Sequence, residues 1–407
     1  MNPESAQTPL SELAARISRF QNDLQKHQID SVLIAQPVDL FYFAGTLQQG
    51  FLFVPDQGQP LLMVRKTLER AIAESPLPHI VGFSSPRQIP GLIQNHGVAH
   101  FRVLGLEMDV IPAQLYLSIQ QLFAGVEIQD VAPIIRSVRS IKSEYELQKM
   151  QRSAELGDRV FEYAGNIISE GMTEVELAGI IEAHARKLGH QGIVRMRLYG
   201  SELFYGHLMT GSGAAEPSYL ASPTGGKGLS PAIAQGPGFE KIKAHEPILV
   251  DYVFACDGYL ADQTRIFCIG ELPDDLMRAH QDMLRLQNTL MKEIKPGITA
   301  GAVYDLAIDL TAQWGYDAHF MGVGEARIRF VGHGLGLELD EYPFLAKGQQ
   351  TVIEENMVIA LEPKLIFPGK GVVGIENTHR VTADGLQRMT RFADDVVQLP
   401  FRSAENG

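Results

Sequence analysis

The stretch "PILVDYVFACDGYLADQTRIFCIG" (247–270) decides how the fold is read. Two apolar runs flank Asp257-Gly258, a strong short-range hairpin signal. With those two residues as the turn, position 253 faces 262 and 251 faces 264. Side chains alternate faces with period two, so Asp251 and Asp262 become diagonal neighbours on one face. Two ionised carboxylates among Val, Ile and Phe repel, and each needs a partner or a cation. For this pair alone, a solvated face would answer that need equally well.

Further acidic residues change the balance. "VIALEPKLIF" (358–367) puts Glu362 within an apolar strand, and "GVVGIENTHRVT" (371–382) puts Glu376 within another. "VGHGLGLELDEYP" (331–343) sets His333 in a glycine-flanked turn, with Asp340 seven residues later. Four acids in four apolar strands, joined by one imidazole, suit a hard-to-borderline divalent ion: Mn first, or Co, Fe or Zn. Four carboxylates can hold two ions, two of them bridging. Such a pair activates a water and clamps a developing oxyanion.

The hairpin lies inside a repeated framework. "GMTEVELAGIIEAHARKLG" (171–189) and "GITAGAVYDLAIDLTAQWG" (297–315) share a layout at an offset of 126 residues. Each opens Gly-apolar-Thr, continues as a helix and closes on Gly. Thr173 and Thr299 are natural N-caps, and Gly189 and Gly315 natural stops. The echo predicts a duplicated half-domain with a pseudo-twofold site between the halves. Between the copies, residues 211–238 hold seven glycines and four prolines, a loop by composition. Its "GGKG" does not meet the phosphate-loop pattern, and Gly-x-Ser-x-Gly is not met around Ser212.

Upstream, Leu13, Ile17, Phe20 and Leu24 recur at helical spacing. "SVLIAQ" (31–36) and "GFLFVPDQGQPLLMV" (50–64) read as strands, the second a hairpin broken at Asp56–Pro60. Ser143 with Glu146 forms a capping box at the start of a long amphipathic helix. The predicted boundary falls in the basic connector "RSVRSIK", giving domains 1–139 and 140–407 of an α/β (α+β) chain.

Composition narrows the class. A chain of 407 residues favours two domains, and 45% hydrophobic residues suffices for packed cores. A net charge of −13 argues against a nucleic-acid binder. The two cysteines, Cys256 and Cys268, lack CxxC spacing, so a disulfide framework is excluded and a reducing compartment fits. No secretory signal is visible and no apolar run approaches the roughly 20 residues of a membrane span. The expectation is a cytoplasmic protein with no membrane or nucleic-acid partner.

The series Asp251, Asp262, His333, Glu362, Glu376 resembles the metal ligands of the M24 metallopeptidase family, in order and spacing. "DGYLADQTRIF", "GHGLGLELDE", "ALEP" and "GIENT" carry the resemblance, and "QIDSVLIAQPVDLFYFAGT" resembles a creatinase-type N-terminal domain. The resemblance implies a pita-bread catalytic domain, two divalent metal ions and often a homodimer. It implies that Asp262 and Glu376 bridge the metals, that Asp251 completes one site, and that His333 with Glu362 completes the other. Glu362 matches the proton-shuttling carboxylate, and the implied activity is metallo-aminopeptidase or dipeptidase hydrolysis, at X-Pro bonds among others.

The chain departs from that pattern where family peptidases carry further histidines. Ser218 stands at one such place, Asp340 at the second and Arg329 at a third, four residues before His333. Ser218, Arg329 and His207 are candidate substrate contacts. Asp340 joins Glu362 as a candidate catalytic group, or pairs with a substrate cation or with Arg329, because an ionised carboxylate cannot donate to an oxyanion as an imidazole does. His207 and His379 are candidate replacements, although a structural role is the simpler reading of each. A second reading is therefore a different C–N hydrolase or lyase acting on a small molecule, and the last is a binding module without catalysis.

Overall fold

Residues 7–220 and 222–401 are described by a computed structural model, in which the chain divides into two units, Met1–Arg139 and Ser140–Gly407. In the first unit α1 (Leu10–Lys26) leads to β1 (Ser31–Ile34), α2 (Pro37–Ala44), β2 (Gly50–Pro55), β3 (Leu61–Val64) and α3 (Leu68–Glu74). There follow β4 (Ile80–Gly82), α4 (Ile89–Asn95), β5 (Val103–Leu106), α5 (Ala113–Leu122), β6 (Glu127–Asp130) and α6 (Ala132–Ser140). The six strands form one mixed sheet in the order β4-β3-β2-β1-β5-β6. Leu13, Ile17, Phe20 and Leu24 are the buried stripe of α1, as their spacing requires.

The second unit begins with α7 (Glu144–Ile167) and α8 (Glu174–Leu188), then β7 (Gly206–Thr210), β8 (Ile248–Cys256) and β9 (Tyr259–Ile269). A second helix pair follows, α9 (Asp274–Glu293) and α10 (Ala300–Gln313), and then β10 (Phe330–Gly334), β11 (Glu341–Ala346) and β12 (Val358–Leu361). The chain closes with β13 (Lys364–Phe367), β14 (Gly371–Gly374), β15 (Asn377–Thr382), β16 (Gly385–Arg388) and β17 (Val397–Leu399). One sheet has the order β17-β9-β8-β7, a second β11-β10-β12-β15-β16, and β13 pairs with β14.

Each half packs a helix pair on its own sheet. Phe161 and Ala164 of α7 and Ile181 of α8 pack with Val250 and Phe267 in one core. Met283 and Leu290 of α9 and Ala307 of α10 pack with Val331 and Ile359 in the other. The duplication extends to the backbone at both helix entries. The Gly171 amide donates to Ile242 O and the Ile242 amide to Met172 O, while Gly297 donates to Ile353 O and Ile353 to Ile298 O. Thr173 bridges Lys241 as Thr299 bridges Val352. Both threonines cap their helices, and Ser143 and Glu146 form the expected capping box on α7.

The hairpin forms in the expected register. Asp257 and Gly258 both take positive φ (51° and 89°), the left-handed pair a two-residue turn between twisted strands requires. Val253 then faces Asp262 and Asp251 faces Thr264. Ile266 and Leu249 continue that same face into the second core, so the face bearing the aspartates looks toward the other half.

Arg265 fixes the sheet junction. Its Nε donates to Ala393 O (2.7 Å), Nη1 to Glu376 O (2.8 Å), and Nη2 to Asn377 Oδ1 (2.8 Å) and Phe392 O (2.7 Å). Burial pulls its pKa down to about 9, offset in part by Asp394 at 3.1 Å. Replacing Arg265 with Met removes one donor from each of these acceptors, of which Glu376 O, Asn377 Oδ1 and Phe392 O keep another, from the Thr264 amide, Thr390 Oγ1 and Arg388. Arg265→Met should lower unfolding stability in denaturant titration by about 1–3 kcal/mol, the usual cost of removing hydrogen bonds made by a buried charged donor.

Candidate metal centre

The centre forms where β8 and β9 of the first half meet the strands of the second. Asp251 and Asp262 come from the hairpin. The backbone bridge between Thr264 and Glu376 carries the second half up to it. Glu362 follows the last residue of β12, ahead of Pro363, and Glu376 immediately precedes β15, so both stand at strand ends rather than within strands.

His333 lies within β10, between β11 and β12, and not in a turn as the flanking glycines had implied. Those glycines serve close approach instead. A Cβ on Gly332 would stand 2.5 Å from Ala360 O, and one on Gly334 would stand 2.1 Å from Tyr342 O. No side chain fits either place, so the imidazole is held on a strand pressed tightly from both sides.

The imidazole Nε2 faces three carboxylates: Glu362 Oε1 at 3.8 Å, Asp262 Oδ2 at 3.9 Å and Glu376 Oε1 at 3.9 Å. All three are too long for hydrogen bonds; the Asp262 and Glu376 oxygens close on the imidazole as a group, and Glu362 Oε1 approaches the same nitrogen. Asp262, His333 and Glu376 each bring a ligand atom within 4.8 Å of the others. One carboxylate-rich cation position with a single imidazole fits this set. On the opposite side of the ring, Nδ1 lies 3.1 Å from Gly334 O and 3.6 Å from Asp340 Oδ1. A proton on Nδ1 would satisfy that carbonyl and leave the Nε2 lone pair directed at the carboxylates, the arrangement a metal-binding histidine needs. Asp340 therefore backs the histidine and does not pair with Arg329.

Lys364 was not singled out in the sequence, and it is the group closest to the carboxylates. Its Nζ donates to Glu362 Oε2 (2.8 Å), Glu376 Oε2 (2.8 Å) and Asp251 Oδ2 (3.0 Å), so every ammonium proton has an acceptor. Glu362 and Glu376 thus give one oxygen to Lys364 and turn the other toward His333. Asp262 makes no ion pair with Lys364 among the described residues, and its Oδ1 accepts from the Gln263 amide at 2.8 Å. Thr264 Oγ1 donates to Glu376 Oε2 at 2.8 Å, and Thr378 Oγ1 accepts from the Asp262 amide. The signal for Lys364 was a lone charge two residues after Glu362 in an apolar run, across the Pro363 break between β12 and β13.

Electrostatics agree with the geometry. Burial pushes the Asp262 carboxyl well up, and repulsion from Glu376 and Asp251 adds to it. Burial raises Glu376 to about 7, with Lys364 opposing and Glu362 and Asp251 adding. Burial would lower the Lys364 pKa, but Asp251, Glu362 and Glu376 overcome it and hold the ammonium well above its ordinary value. Burial would likewise lower His333, and Asp340, Glu362 and Glu376 reverse that.

The centre forms the floor of a cavity of about 90 Å³. Leu198, Leu203, Leu220, Pro223, Phe330 and Leu339 give it apolar walls. The Gly- and Pro-rich loop contributes Leu220, Ser222 and Pro223. His207, opposite Asp251 on β7, also lines it. Its Nδ1 lies 3.4 Å from Thr224 Oγ1, its buried Nε2 has no partner among the described residues, and burial lowers its pKa.

Ser218 and Arg329 are not among the residues that line this cavity. Ser218 Oγ accepts from the Leu220 amide at 3.1 Å and so fixes its own turn. Arg329 is exposed ahead of β10. His379 is buried in the sheet, where desolvation depresses its pKa to about 3.

The sequence matches the model of "Metallopeptidase family M24" over residues 148–383, more than half of the chain. It matches that of "Creatinase/Prolidase N-terminal domain" over 16–141. The Xaa-Pro dipeptidase of Pyrococcus furiosus is 26% identical over 382 residues, spanning 92% of this chain and 97% of that protein. Among solved structures, an Xaa-Pro dipeptidase from Bacillus anthracis superposes with a TM-score of 0.81 at 22% identity, covering 95% and 100% of the two chains. An X-Pro aminopeptidase from Thermotoga maritima gives 0.77 at 21%, covering 94% and 99%.

Two outcomes follow for cation binding. Glu376 keeps a proton up to about pH 7, and a bound ion must displace it. Affinity should therefore fall as pH drops through 7, roughly tenfold per unit for each carboxyl to be deprotonated, and the raised Asp262 carboxyl adds to that dependence, measured by Mn²⁺ calorimetry across pH 5.5–8.5. Asp340→Ala removes the group behind the imidazole. It should weaken the ion roughly 10–100-fold at constant pH while circular dichroism is unchanged.

Proposed function

The chain belongs to the metallopeptidase family M24, and we propose that it is a metal-dependent peptidase cleaving the bond before proline in Xaa-Pro dipeptides or at the N-terminus of short peptides. The observation that carries this is the convergence of His333 Nε2 and three carboxylate oxygens on the floor of an apolar-walled cavity. Residues 140–407 are the pita-bread catalytic domain, and 1–139 the creatinase-type N-terminal domain. The two curated and structural relatives named for Xaa-Pro dipeptides support the substrate class.

Asp262, His333 and Glu376 would hold the ion, which when bound supplies Lewis acidity toward water and a peptide carbonyl. The apolar walls accommodate a proline ring and exclude bulk water from the bond to be cut. His207 lines the cavity, and with the Thr224 hydroxyl donating to Nδ1 its Nε2 would carry the proton and become a donor for a carbonyl oxygen once a small turn of the ring exposes it. Glu362 Oε1 is free of Lys364 and is placed to take a proton and pass it to the leaving nitrogen. Asp340 stands behind His333 and also lines the cavity, so it acts on the ion through the imidazole and remains a candidate substrate contact. His207 brings an imidazole to the cavity from β7, so the loss of the usual histidines at 218 and 340 no longer favours a different reaction.

The carboxylate-rich donor set favours Mn²⁺ as the ion. Two free, buried cysteines accord with a reducing cytoplasm, and the family resemblance supports a homodimer.

Mn²⁺-loaded protein should release free proline from Xaa-Pro dipeptides and lose that activity on chelation. His207→Ala should lower kcat by roughly 10²–10³ with the Mn²⁺ content unchanged, as removal of one oxyanion donor does. Full metal occupancy with no turnover of Xaa-Pro dipeptides or longer Xaa-Pro peptides would exclude the proposed activity.

A further inference from the structure

We propose that this active site binds one divalent ion per chain, because the Lys364 ammonium permanently fills the second cation position among the carboxylates. The inference deepens the metallopeptidase reading and rests on it for the presence of an ion.

Two cation positions are visible, and they share two glutamates. One is the point faced by His333 Nε2, Asp262 Oδ2, Glu362 Oε1 and Glu376 Oε1, at 3.8–3.9 Å from the imidazole nitrogen. No protein cation enters it among the described residues. The other is bounded by Asp251 Oδ2, Glu362 Oε2 and Glu376 Oε2, and there Lys364 Nζ lies 2.8–3.0 Å from all three oxygens. A divalent ion in that second position would need those oxygens at about 2.0–2.6 Å and would have to share the space with a like charge.

The lysine has no easy exit. Its side chain is 1% exposed, and it begins β13, paired with Gly374 on β14. Its amide reaches Met321 Sδ, while its carbonyl accepts from the Met321 amide. A Cβ at Gly374 would lie 2.7 Å from Lys364 Cα, so the two backbones are in close contact. Moving the ammonium away would leave three buried carboxylates facing one another without a cation.

The charges suit a single ion. Asp251, Asp262, Glu362 and Glu376 carry four formal negative charges and Lys364 one positive charge. One divalent ion leaves the four acids and the ammonium within one charge of neutrality, so a second ion is not required to balance them. The lysine holds Glu362 and Glu376 in the orientation their second oxygens need, so it is a positioning residue for the ion at His333. Asp251 serves the ammonium and is not a ligand of that ion.

The test counts ions on the full-length protein after equilibration with excess MnCl₂ and gel filtration, by inductively coupled plasma and native mass spectrometry. One Mn²⁺ per chain is expected, with the six-line paramagnetic resonance spectrum of an isolated ion. Asp251→Asn should keep one ion. Lys364→Ala and the length-preserving Lys364→Met should each accept a second ion in at least one folded variant, with the spectrum of a coupled pair. Two ions per wild-type chain, or one ion in a folded Lys364 variant at the same Mn²⁺ concentration, overturns the inference while leaving the metallopeptidase reading intact. No ion on the wild-type chain overturns both. Should neither Lys364 variant fold, the wild-type count and spectrum together with the Asp251→Asn count still decide: a coupled pair, or loss of the ion in Asp251→Asn, overturns the inference.

Discussion

Mutual repulsion among buried carboxylates is the constraint on which the catalytic unit depends. Asp262, Glu362 and Glu376 are nearly solvent-free, and Asp251 is only slightly more open. Carboxylates in such a place are tolerated only with protons, cations or dense hydrogen bonding. The chain uses all three. Lys364 covers one side, amide and hydroxyl donors from Gln263 and Thr264 cover individual oxygens, and the side facing His333 is left for an ion. The upward displacement of Asp262 and Glu376 expresses the same strain, since each would rather keep a proton than stand charged without that ion.

That demand couples the two halves of the second unit. The hairpin contributes Asp251 and Asp262, while His333, Glu362, Lys364 and Glu376 come from the second half. Each half packs its own helix pair, but neither can neutralise its acids alone. Arg265 and the Thr264–Glu376 bridge make the junction rigid at the place where the charges meet. The duplication supplies two similar frameworks, and the centre arises from what differs between them.

Much of this was legible in the chain because it depends on local rules. Asp257-Gly258 fixes the hairpin register, and period two then places Asp251 and Asp262 on one face. Threonine caps and glycine stops mark α8 and α10. What escaped was the tertiary meaning of residues whose local signal is ambiguous. Glycines beside His333 read as a turn, because close strand approach leaves no trace in one sequence. Ser218 and Arg329 were weighed by their distance from a motif, which says nothing about which way a loop carries them. Lys364 lay in a quoted stretch two residues after Glu362, but a single lysine in an apolar run is usually a solvated end.

Asp340 illustrates how a substitution can be read wrongly in chemistry while rightly in importance. A carboxylate where an imidazole was expected looks like a lost oxyanion donor if it faces substrate. Placed behind His333, it does something an imidazole there would do poorly. It favours a proton on Nδ1 and so presents the Nε2 lone pair to the cation position. A negative charge behind the ring also strengthens the ring as a donor to a positive ion. One ion flanked by an ammonium lacks the second metal that would otherwise help fix its ligands. A stronger histidine ligand compensates in kind, and on this reasoning Asp340 and Lys364 belong to one arrangement: the lysine removes the need for a second ion, and the aspartate tightens the hold on the first.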